Sequence, residues 1–98
     1  MSDPNVAGGL PVDRIIELQR QYRFQWEAAQ DCYVLLYPEG LIQLRGSAGE
    51  IMKHVDGLSS IDDIVANLEK AYPGQDLRPD VIGFLEHAHG KGWIRVKS

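Results

Sequence analysis

The side chains that can hold a metal ion here are His54, His87, His89 and the single cysteine, Cys32. His87 and His89 are two positions apart, about 200° around a helix, so a regular helix cannot aim both at one ion. His54 falls in a different segment, and neither Cys-x-x-Cys nor His-Glu-x-x-His spacing occurs. The expectation is no metal site. Cys32 opens an apolar run and reads as a buried structural thiol. Asp62 and Asp63 are adjacent and point in different directions, as partners of a helix N-terminus do. No serine has an obvious histidine and acid beside it, and no glycine-rich phosphate loop follows a strand. Neither a catalytic residue nor a cofactor is expected, and the chain does not read as an enzyme.

The chain has 98 residues, a net charge of −4, 44% hydrophobic and 24% charged residues. A domain of this size buries roughly 60–65% of its unfolded surface, enough for one core. Apolar runs are a few residues long, far short of the ~20 that cross a bilayer. The start, MSDPNVAGG, has neither the basic residues nor the apolar stretch of a signal peptide. One cysteine forms no internal disulfide, so a cytoplasmic setting is expected, with no membrane partner. Residues 46–90 hold eight acids against Lys53, Lys70 and Arg78, a local charge of −5. Phosphate binding draws on Lys and Arg, so this middle is unsuited to nucleic acid. The last eight residues, with Lys91, Arg95 and Lys97, are basic by contrast.

Residues 1–21 read as a flexible N-terminal extension, with Ile15, Ile16 and Leu18 forming one or two helical turns at most. The domain proper is expected over 22–98. Tyr22, Phe24 and Trp26 alternate with polar residues, the pattern of a half-buried strand. Tyr33–Tyr37 is apolar throughout, which suits a central strand covered on both faces. Pro38-Glu39-Gly40 supplies the turn, and Leu41–Arg45 follows as an edge strand with Ile42 and Leu44 on one face.

Beyond Gly46 the period becomes helical. Ser47-Ala48-Gly49-Glu50 matches a capping box, with Ala48, Ile51, Met52 and Val55 as the apolar stripe. Ser60-Ile61-Asp62-Asp63 opens a second helix striped by Ile61, Ile64, Val65 and Leu68, stopped by Pro73-Gly74. A third, with Pro79 in its first turn, carries Val81, Phe84, Leu85 and Ala88. Trp93–Val96 ends the chain as a strand or extended tail. The expected class is α+β: a winged-helix-like domain with a three-stranded antiparallel sheet followed by three helices.

A winged helix suggests DNA, yet the third helix carries Asp80 and Glu86 with basic residues only at its ends, Arg78 and Lys91. The edge strand Leu41–Arg45 offers another use. Its unpaired N–H and C=O groups can accept an extended peptide as an added strand, or the edge is simply short and blunted by Gln43 and Arg45. The pattern alone leaves both open. Pairing of strand edges between two copies, giving a homodimer, is a third reading.

Several blocks place the sequence more closely. Trp26-Glu27-Ala28-Ala29-Gln30-Asp31, Leu35-Leu36-Tyr37-Pro38-Glu39-Gly40 and Ser47-Ala48-Gly49-Glu50-Ile51 resemble the pyrroloquinoline quinone biosynthesis protein D (PqqD) family. So do the pairs Asp56-Gly57, Asp80-Val81, Phe84-Leu85 and Gly92-Trp93, in order from about Tyr22 to Ile94. The resemblance implies a non-catalytic peptide chaperone, a RiPP recognition element. Such proteins bind the ribosomal precursor peptide PqqA and present it to the radical SAM enzyme PqqE. It implies that the peptide pairs with Leu41, Ile42, Gln43, Leu44 and Arg45 and lies against Val81, Phe84, Leu85 and Ala88. Arg45 and Val55 depart from the residues common in the family, Asn and Cys, and the extension before Tyr22 has no clear counterpart there. The alternative function remains a winged-helix nucleic-acid-binding module.

Overall fold

A computed structural model describes residues 9–97. Its elements run β1 (Ile16–Leu18), β2 (Arg23–Glu27), β3 (Cys32–Tyr37), β4 (Gly40–Leu44), α1 (Ser47–Met52), α2 (Ile61–Ala71), α3 (Arg78–Gly90) and β5 (Ile94–Val96). Strands β2, β3 and β4 form an antiparallel meander with β3 in the centre, followed by the three helices, as a winged-helix-like α+β domain requires. The core gathers Leu35 and Leu44 from the sheet, Ile51 and Met52 from α1, Ile64 and Leu68 from α2, and Val81, Leu85 and Ala88 from α3. Each helix contributes the stripe that its 3.6-residue period lays on one face.

The one or two helical turns that Ile15, Ile16 and Leu18 could have formed within residues 13–21 are not there. Ile16–Leu18 is strand β1, paired antiparallel with β5 from Ile16 opposite Val96 to Leu18 opposite Ile94. On its other side the Ile16 N–H donates to the Ser59 carbonyl at 3.1 Å, and Ile15 bridges to Ser60. A segment this short lacks the bonds to sustain a helix alone, whereas β5 and the α1–α2 loop offer it partners on both sides. Ile16 is fully buried and Leu10 nearly so, both within the main core. Of the expected extension, then, residues 10–18 pack into the domain, and residues 1–8 lie outside the described residues.

Helix α1 also differs from expectation. Gly46, at φ 61° and ψ −134°, takes the N-cap position, and no side chain caps the helix. That backbone conformation is essentially restricted to glycine. The helix therefore begins one residue early, leaving Ser47 inside its first turn, where the expected box with Glu50 does not form. It ends at Met52, and Val55 is buried from the turn that follows. At α2 the box is present: Asp63 N–H donates to Ser60 Oγ at 3.1 Å, and Ser60 N–H donates to Asp63 Oδ2 at 3.0 Å.

Gly49 sets the distance between α1 and the sheet. A Cβ there would lie 2.9 Å from the Leu44 carbonyl oxygen and 2.9 Å from Cδ2 of Tyr33, closer than real Cβ atoms approach. Trp26, expected to be half-buried, is 52% exposed. It shares a row with Tyr33 and Leu44 and stands edge-on to Tyr33 at 5.1 Å between ring centres.

Candidate functional site

Strand β4 is an open edge of the three-stranded sheet, and its hydrogen-bond phase follows from the turn that leads into it. Tyr37 and Gly40 pair across a two-residue loop, which makes them the closing hydrogen-bonded pair of the hairpin. Bonding then recurs at every second residue, so Gly40, Ile42 and Leu44 direct their N–H and C=O toward β3. Leu41 and Gln43 direct theirs outward. Among the described residues no backbone group fills that outer side. The edge thus presents two donors and two acceptors at the strand spacing that an extended peptide matches.

The side chains divide by the same alternation. Ile42 and Leu44 lie on the core face, half-buried and 3% exposed respectively. Leu41 and Gln43 lie on the opposite face, where the Gln43 amide donates to Oε1 of Gln30 in the β2–β3 turn. Arg45, just past the end of β4, donates from Nε to Gln43 Oε1 at 3.2 Å. On α3, Val81, Leu85 and Ala88 are almost fully buried and serve the core, while Phe84 is half-buried. Of the nine residues expected at the site, the structure leaves the backbone of Leu41 and Gln43, the partly exposed side chains of Ile42 and Phe84, and the exposed Arg45 open to a ligand.

Where β4 turns into α1, a cavity of about 350 Å³ opens between the three helices. Its floor is Ile51, Leu68, Leu77 and Val81, and Glu50, Asp80 and Tyr72 stand on its rim. Glu69 Oε2 accepts the Leu77 N–H at 2.9 Å, tying the start of α3 to α2. The sequence did not mark this feature, because its walls come from the ends of three helices that no single period links.

Several charged and chemically reactive residues are engaged elsewhere. Arg78, the basic residue at the start of α3, bonds to Asp62 at 2.8 Å. Arg95 bonds to Glu17 at 2.8 Å, and Lys97 Nζ donates to the Gly57 carbonyl at 2.9 Å. His87 stands edge-on to Trp93, and Cys32 is buried. Among the described residues, no three His, Cys, Asp or Glu side chains converge as a metal site would need. No helix among them is long and apolar enough to cross a membrane.

The model for coenzyme PQQ synthesis protein D (PqqD) matches residues 32–94, most of the chain. The chain belongs to the PqqD family. A protein of Pseudomonas aeruginosa named PqqA binding protein is 47% identical over 87 residues, covering 88% of this chain and 95% of its own. One of the same name from Azotobacter vinelandii is 49% identical over 83 residues, covering 84% and 90%. Only 77 residues run from Tyr22 to the end, so matches of this length take in part of the segment before Tyr22. Part of that segment therefore has a counterpart in PqqD relatives, contrary to the expectation from the sequence. The solution structure of the PqqD truncation of Methylobacterium extorquens PqqCD, described as a stand-alone RiPP recognition element, superposes with a TM-score of 0.73 at 22% identity. It covers 90% of this chain and 96% of that one, and shows the PqqD fold.

Proposed function

We propose that this chain is a non-catalytic recognition module that binds the precursor peptide PqqA and presents it to the radical SAM enzyme PqqE in pyrroloquinoline quinone biosynthesis. The observation that carries the reading is the open β4 edge with Leu41 and Gln43 facing outward, in a chain whose relatives are named for binding PqqA. The peptide adds as a fourth strand beside β4, its side chains alternating between Ile42 and Phe84 on one face and solvent on the other. The domain supplies no reacting group. Its contribution is to fix an otherwise flexible peptide in an extended form, so that the modifying enzyme meets an ordered segment.

Magnitudes bound what the edge alone can do. Four main-chain bonds at about 1 kcal/mol each amount to roughly millimolar binding, before the cost of ordering the peptide. Tighter binding requires side-chain burial, at about 1.5–3 kcal/mol for each large apolar side chain that leaves water.

Calorimetric titration with synthetic PqqA tests the reading. Saturable one-to-one binding supports it, and the absence of binding by the folded domain opposes it. A mass that doubles with concentration and falls back when peptide is added would mean that a second copy competes for the same edge.

A further inference from the structure

The cavity at the end of β4 has the position and chemistry of a specificity pocket. Gly46 and Ser47, which line it, follow β4 after the single residue Arg45, so a strand laid along the β4 edge runs toward its mouth. Gln43 and Gly46 are three residues apart, about 10 Å in an extended chain. The floor of Ile51, Leu68, Leu77 and Val81 is apolar, and about 350 Å³ accommodates one bulky side chain. The rim is acidic. Glu50 and Asp80 both border the mouth, and neither takes part in an ion pair or a side-chain hydrogen bond among the described residues. Tyr72, the residue that caps the C-terminus of α2, is 45% exposed beside it.

We infer that this cavity receives one aromatic or branched aliphatic side chain of the bound peptide, with a lysine or arginine next to it in the peptide held by Glu50 and Asp80. The inference rests on the peptide-binding reading above. The anchor residue stands three or four positions along the peptide from the residue opposite Gln43, and the acidic rim selects against peptides with an acid beside the anchor. Tyr72 covers the guest and adds aromatic contact area at small entropic cost.

The test titrates synthetic PqqA into four folded proteins: wild type, Gln43→Pro, Tyr72→Ala, and the double variant Glu50→Lys with Asp80→Lys. Amide spectra confirm that each retains the fold. The double variant is expected to bind about tenfold more weakly, and Tyr72→Ala five- to tenfold more weakly. In a scan of PqqA variants with each Lys or Arg changed to Glu, one variant is expected to bind wild type poorly and the double variant well. Wild-type affinity in both Tyr72→Ala and the double variant, with Gln43→Pro still unable to bind, would overturn the pocket and leave strand addition standing. No binding by the wild type would remove both.

Discussion

The carbonyl oxygen of Leu44 and the α-carbon of Gly49 approach so closely that a side chain on Gly49 would begin 2.9 Å from that oxygen. This contact seats α1 on the end of β4, and Gly46 and Ser47, at the start of α1, line the cavity. Gly49→Ala must push α1 off the sheet, because the obstructing atom is backbone. The expected cost is about 1–3 kcal/mol. It is checked by the urea midpoint, and amide shifts should change along β4 as well as α1.

Ser60 closes the N-terminus of α2 through a reciprocal pair of bonds with Asp63 while itself only 7% exposed. Ser60→Ala removes the acceptor for the Asp63 N–H and should destabilise the domain by about 1–2 kcal/mol. Urea denaturation with an unchanged m-value is the measurement. By contrast Ser47→Ala should be nearly neutral, because Ser47 makes no capping bond.

Asp56 holds the α1–α2 loop that carries Ser59, the residue that accepts the Ile16 N–H. Slight burial alone would raise its pKa, but bonds to its carboxylate from the Leu58 N–H and the Ser59 hydroxyl outweigh this, and the pKa lies below the ordinary 3.8. The stability it contributes is fully present above that ordinary value and is lost as pH falls through the lowered one. Asp56→Asn should therefore reduce stability at neutral pH, with the difference from wild type shrinking below about pH 4. Unfolding midpoints measured at several pH values check this.

Gln43→Pro removes an N–H that points to the open edge and none that the hairpin needs. The protein is expected to stay folded and to lose PqqA binding. Gln43→Ala keeps the N–H and loses only the side-chain bonds with Gln30 and Arg45, so its affinity should match wild type. The pair of titrations separates backbone pairing from side-chain contact.

The sheet and the last two helices were legible because one period governs each. Strict alternation set Ile42 and Leu44 inward, and the stripes of α2 and α3 fell where the core needed them. What escaped depended on partners far along the chain. Ile16–Leu18 is a strand only because β5, nearly 80 residues on, pairs with it. The start of α1 was misplaced because the Ser47–Glu50 spacing imitates a capping box, while the N-cap is Gly46, set by its backbone conformation with no side-chain cap. At the site, the edge strand was readable from the Pro38-Glu39-Gly40 turn, whereas the cavity, built from three helix ends, was not. Val81, Leu85 and Ala88 illustrate the same limit: helical spacing finds an apolar face without telling how much of it the core consumes.

The most direct test of peptide addition at β4 follows backbone amide shifts while synthetic PqqA is titrated into the labelled domain. The account predicts saturable shifts centred on Leu41–Arg45, with Leu41 and Gln43 amides becoming protected from hydrogen exchange, and secondary shifts at Phe84. Saturable shifts confined to β2 or to the β1–β5 pair, with the Leu41 and Gln43 amides exchanging as before, would contradict it.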